Sequence, residues 1–118
     1  MAKVYISQPM RGLDDAEILR IRSKAIESAT KHIHNEFGPD EPVEILDTFV
    51  KGVPADANPL VYLSNNIKLL AEADLAFFCN GFENARGCRV ERYCAGEYGT
   101  PLIVEDYSDN TVIMQVQK

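Results

Sequence analysis

Along the chain, short runs of β-branched and aromatic residues alternate with longer stretches that carry helical spacing. Lys3 to Ser7, "KVYIS", ends at a Pro-Met-Arg-Gly turn and predicts a strand. Asp14 then stands at a helix N-cap position with Glu17 three residues on, a capping-box-like start. Ile18, Ile21, Ala25, Ala29, Ile33 and Phe37 recur at helical spacing and form the predicted inward face. Arg20, Lys24, Glu27 and Lys31 fall on the wet side. Gly38-Pro39 ends this helix, because glycine accepts a left-handed turn and proline cannot continue the helical ladder.

A second strand is predicted over Val43 to Phe49, "VEILDTF". The stretch "VKGVPADANP", with Gly52, Pro54 and Pro59, reads as a loop. A helix from about Leu60 to Glu72 would turn Leu63, Ile67, Leu70 and Ala71 to one side. "DLAFFC" is a nearly continuous apolar run, as expected of a strand covered on both faces. The loop "NGFENARG", a short helix through Tyr98, a turn at Gly99 to Pro101 and the strand "LIVE" follow. "TVIMQV" predicts a last strand at the sheet edge. Strands alternating with helices imply parallel βαβ units. The expected architecture is one doubly wound, Rossmann-like α/β domain over residues 1–118, with about five mainly parallel strands and helices on both faces.

Composition narrows the function classes. At 118 residues, with 46% hydrophobic and 25% charged residues, the chain can bury one real core. A net charge of −6 argues against a nucleic-acid polymer as partner, since such a surface needs clustered Lys and Arg. Neither a basic amphipathic face nor a long apolar run is present, so no membrane partner is expected. The N-terminal "MAKVYISQPM" lacks the features of a secretory leader. Cys79, Cys88 and Cys94 are odd in number and form no C-x-x-C pair. Free thiols in a reducing compartment, and a soluble cytoplasmic protein, are the expectation. His32 and His34 point roughly 200° apart on a helix and cannot share a metal, so neither a metal nor a cofactor is expected.

In such a sheet a ligand binds outside the carboxyl ends of the strands, near the switch in strand order. "SQPMRG", "DTFVKG" and "NGFENARG" with the first turn of the following helix should lie there. "SQPMRG" offers a hydroxyl, an amide, a guanidinium and a glycine in one turn, yet has no Gly-x-Gly spacing. Arg11 there is either a phosphate-binding fork or simply solvated. Glu91 is expected in the first turn of its helix, where exposed backbone N–H groups favour an ionised carboxylate. A helical wheel puts Val90, Tyr93, Cys94 and Tyr98 inward and Glu91 at their border. Read by itself, Glu91 is either a dipole-matched surface acid or a group facing a cleft. Tyr5 is either core or site, and Asp74 is expected to bind backbone groups where it precedes its strand. No Ser-His-Asp arrangement or nucleophile elbow occurs.

Taken together, "VYISQPMRG", "NNIKLLAEADLAFF" and "ARGCRVERYCAGEYGTPLI" resemble, in order and spacing, the nucleoside 2-deoxyribosyltransferase superfamily, including its small bacterial and phage members and its nucleotide N-glycosidase branch. The resemblance covers nearly the whole chain. It implies a flavodoxin-like fold, a homo-oligomer (dimer or higher), and cleavage of the N-glycosidic bond of a nucleoside or nucleotide. It places Glu91 as the nucleophile that attacks the anomeric carbon, with Tyr5 orienting it. Ser7, Gln8, Met10, Arg11 and Gly12 fall on the loop that wraps the sugar and part of the base. Asn66 and Gly87 complete the implied substrate contacts. Two positions depart from the family pattern. Asn66 stands where an aspartate is usual, and an amide cannot give or take a proton as a carboxyl group does. Ala85 stands where active members carry an acid or a hydroxyl. The expected function is therefore cleavage or transfer at the N-glycosidic bond through a glutamate. The alternative is a catalytically weak or inactive module that binds a nucleotide or nucleoside metabolite in the same crevice.

Overall fold

The computed structural model describes residues 1–46 and 58–105. The predicted strand "TVIMQV", most of the predicted loop "VKGVPADANP" and the end of the strand predicted over Val43–Phe49 lie outside the described residues. The elements run β1 (Ala2–Ser7), α1 (Asp15–Phe37), β2 (Val43–Ile45), α2 (Pro59–Leu70), β3 (Leu75–Phe78), α3 (Arg86–Glu97) and β4 (Leu102–Val104). A single 3-10 turn, Phe82–Asn84, precedes α3. The four strands are parallel and ordered β2-β1-β3-β4, the beginning of the flavodoxin-like order. Val4 pairs with both Ile45 and Leu75, and Ser7 with Phe78.

The period-two alternation of the strands divides the core. Val4 and Ile6 of β1, Leu75 and Phe77 of β3 and Ile103 of β4 pack against Ala25, Ala29 and Ile33 of α1. On the other face Tyr5, Ala76, Phe78 and Leu102 meet Leu70 of α2 and Ala95 of α3. Every residue of β3 is buried, as its unbroken apolar run predicted. Alanines at the contact positions of α1 let that helix lie close to the sheet. Asp14 caps α1 as expected, its carboxylate accepting from the Glu17 N–H at 2.8 Å. Gly38 ends the helix at φ +105°, a backbone angle that favours glycine. Asp74 clamps β3 to β1, accepting from Lys3 N–H at 2.8 Å while its own N–H donates to the Lys3 carbonyl at 2.7 Å.

Three predicted faces need correction. Phe37 is exposed rather than inward. An α1 of 23 residues is about 35 Å long, whereas the six residues of β1 span only about 20 Å. The last turn therefore overshoots the sheet. Ala71 is the C-cap of α2 and also faces outward. On α3 the buried residues are Cys88, Glu91 and Ala95, while Val90, Tyr93 and Tyr98 are exposed and Cys94 is half-buried. Small Ala95 lets α3 approach the sheet, and polar partners on β1 accept Glu91. Among the described residues no helix is long and apolar enough to cross a membrane.

Candidate active site

Side chains two apart on a strand point to the same face, so Tyr5 and Ser7 both project from β1 toward α3. They do so at the carboxyl end of β1, beside β3, where the strand order turns. On α3, Cys88, Glu91 and Ala95 form the stripe that looks back at them. Glu91 lies five residues after Arg86, in the second turn and not the first. There its N–H is within the helical ladder and the dipole has largely faded, so the helix terminus is not what holds its charge.

Two hydroxyls do that instead. Tyr5 Oη donates to Glu91 Oε2 at 2.9 Å, and Ser7 Oγ donates to Oε1 at 2.7 Å. Glu91 is 4% exposed and Tyr5 1%. Burial pushes the Glu91 carboxyl above the usual glutamate range; the Ser7, Tyr5 and Asn66 side chains pull against that shift without cancelling it. The expected ionised, dipole-held carboxylate is thus corrected to a buried one whose proton is held more tightly. Burial, followed by the neighbouring Glu91 charge, raises the Tyr5 phenol far above its ordinary value, so Tyr5 stays a donor.

Glu91 lines a cleft of about 240 Å³ together with Tyr5, Ser7, Gln8, Met10, Asn66, Gly87 and Ala85. Seven of the nine residues predicted for the site thus meet here. Arg11 and Gly12 do not line the cleft, and both are exposed. Gly12, at φ +83°, turns the chain toward α1, and Leu13 N–H closes that turn on the Met10 carbonyl at 3.2 Å. Gln8 is tethered, its Nε2 donating to the Ile18 carbonyl at 2.7 Å. Ser7, expected only to touch substrate, bonds the carboxylate itself.

The sequence reading missed Cys88 as a cleft residue. It sits one turn before Glu91 on the same helix face, which is the signal that could have found it. Burial raises its thiol, and the Ser7 hydroxyl opposes that shift. Burial likewise pushes Cys79 up to about 12. All three cysteines are free.

A larger groove of about 480 Å³ shares Gly87 with this cleft and runs along Asn58, Leu60, Leu63, Arg86 and Val90. Among the described residues its walls carry no buried ionisable group, whereas the smaller cleft holds Glu91 and Tyr5. Among the described residues no cluster of three His, Cys, Asp or Glu side chains is placed to hold a metal. His34 Nε2 instead lies 3.1 Å from the Glu41 carbonyl.

No protein-family model matches the chain, and no curated protein matches it in sequence. Among solved structures it is similar to a 2-deoxyribosyltransferase from the psychrotolerant bacterium Bacillus psychrosaccharolyticus. That similarity has a TM-score of 0.59 at 17% identity, covering 93% of this chain and 76% of that one. The likeness is one of architecture: the chain has the parallel α/β fold of a 2-deoxyribosyltransferase.

Proposed function

We propose that the protein cleaves or transfers at the N-glycosidic bond of a nucleoside or nucleotide, with Glu91 as nucleophile. The observation that carries this reading is the Glu91 carboxylate, buried in a cleft at the strand-order switch with one hydroxyl on each oxygen. A structural acid on a helix surface has no need of such a cradle, and sheltered carboxylates with shifted proton affinity concentrate at sites of chemistry.

In the first step a Glu91 oxygen bonds to the anomeric carbon as the bond to the base nitrogen breaks. The bonding pair leaves with the base, which takes a proton from solvent. Water or a second base then attacks the same carbon and gives up its proton to solvent, while the ester opens and the carboxylate returns. Both transition states resemble an oxocarbenium ion, which a nearby carboxylate stabilises. Tyr5 and Ser7 hold the carboxylate in place and favour its charged, attacking form. Asn66 can bond the sugar or base but cannot supply the leaving base with a proton.

That amide, with Ala85 beside it, favours a second reading in which the cleft binds such a ligand without turning it over. Incubating the protein with a panel of nucleosides and 5′-nucleotides and following free base separates the two. Release that disappears in Glu91→Gln supports the enzyme. Binding without release supports the module, and neither release nor binding across the panel sinks both.

A further inference from the structure

Two buried hydrogen-bond acceptors on side chains that line the cleft have no donor among the described residues: Gln8 Oε1 and Asn66 Oδ1. Gln8 is 7% exposed, and its amide nitrogen is committed to the Ile18 carbonyl at 2.7 Å. A carbonyl oxygen only accepts, so this bond sets which way the amide points and leaves Oε1 as an acceptor. The Asn66 side chain favours the charged form of Glu91, as an amide N–H donor does, and its Oδ1 is the acceptor left without a donor. Both side chains line the same cleft as Glu91. Buried acceptors without donors are costly and rare in native interiors. Two of them beside a nucleophile are suited to donors that a ligand brings.

Resting on the glycosidic reading above, we infer that the cleft prefers a ribosyl to a 2′-deoxyribosyl group, the vicinal 2′- and 3′-hydroxyls donating to the Asn66 and Gln8 carbonyl oxygens. The stereochemistry selects the sugar over the base as the source of donors. A carboxylate that displaces a base attacks from the side opposite the leaving group, so groups beside Glu91 meet the sugar. The hydroxyl nearest the anomeric carbon is the 2′-hydroxyl, which deoxyribose lacks. A site built to bond a hydroxyl discriminates strongly against the analogue without it, because its own polar group is then left unpaired.

Equilibrium binding tests this without interference from the greater chemical lability of deoxynucleosides. The Glu91→Gln protein, in which turnover is blocked, is titrated calorimetrically with adenosine, 2′-deoxyadenosine and 3′-deoxyadenosine, each with and without a 5′-phosphate. Inosine and its deoxy analogues form an arm without an amino group. Each missing hydroxyl should weaken binding about tenfold, equally in the adenine and inosine series. In Gln8→Met and Asn66→Leu backgrounds the ribo-to-deoxy ratio should fall toward one. The ratio is taken within each variant, so a general loss of stability cancels. Equal or tighter deoxy binding, a ratio unmoved by both substitutions, dependence on the amino group alone, or no binding in the millimolar range would overturn the inference. Base release by the unsubstituted protein reports separately on the glycosidic reading. Release from deoxynucleosides with a binding ratio near one leaves that reading standing and removes this one.

Discussion

Tyr5 Oη and Glu91 Oε2 lie 2.9 Å apart, although 86 positions separate the two residues in the chain. The bond joins the central strand to the helix after β3, and neither group is comfortable alone in the interior. Burial raises the proton affinity of both, and the shared hydrogen bond relieves the carboxylate while confining the phenol to the role of donor. Ser7 completes the arrangement on the other oxygen.

Replacing Tyr5 by Phe removes a donor that favours the ionised Glu91. The carboxyl should then hold its proton to higher pH, moving the acid limb of the base-release profile upward. A hydrogen bond to a buried charge is worth about 1.5–3 kcal/mol, so kcat/KM near neutrality should fall roughly 10- to 100-fold and recover partly in alkali. Ser7→Ala should act in the same direction. The double variant should lose less than the product of the two, because both hydroxyls serve one carboxylate. An unmoved acid limb in both single variants would remove the cradle from the account.

The same carboxyl should leave a mark on stability. Its affinity for a proton is higher in the folded chain than in the unfolded one, so the native state binds more protons across the window between the two. The contribution of Glu91 is fully present below its unfolded value and is lost as pH rises through its folded value. The Glu91→Gln protein should therefore gain on the natural sequence as pH rises above the ordinary glutamate range. Urea midpoints at a series of pH values read this directly, and parallel curves would contradict it.

Asn66→Asp restores a carboxyl group to the cleft. Two acids side by side cannot both ionise easily, so one should keep its proton toward neutrality. The expected outcome is slower base release near neutrality, with the acid limb of the pH profile moved upward. An unmoved acid limb would show that a carboxyl at this position does not reach Glu91.

Several elements of the fold could be read from local signals. The apolar spacing of α1, its Asp14 cap and the unbroken run of β3 each rest on neighbours in sequence, and each is present. The α3 face could not be read that way. A wheel counts Tyr93 and Tyr98 as apolar and turns them inward. The buried stripe instead contains a carboxylate, because hydroxyls from β1, far away in sequence, are there to receive it. The site pairing of Glu91 with Tyr5 came from resemblance to a family, since no spacing rule links those positions. Arg11 and Gly12 shared the right loop, but its turn carries them out of the cleft.

The orientation of α3 has its own consequence for stability. Tyr93 is exposed, so Tyr93→Ser should change unfolding free energy by no more than about 0.5 kcal/mol. Ala95 is 1% exposed between α3 and the sheet, and Ala95→Leu should cost about 1–3 kcal/mol through overpacking. Denaturant titration of the two variants checks the pair. The reverse order would mean that α3 faces the sheet as the apolar wheel had it.

The role of Glu91 as nucleophile can be read from its fate during turnover. The protein is mixed with a nucleoside or nucleotide that releases base, quenched in acid within one turnover, digested and mapped by mass spectrometry. A peptide carrying one glycosyl group as an ester on Glu91 should appear with the first equivalent of base and be absent from Glu91→Gln. Base release that proceeds undiminished in Glu91→Gln, with no glycosylated peptide at any time, would contradict that role.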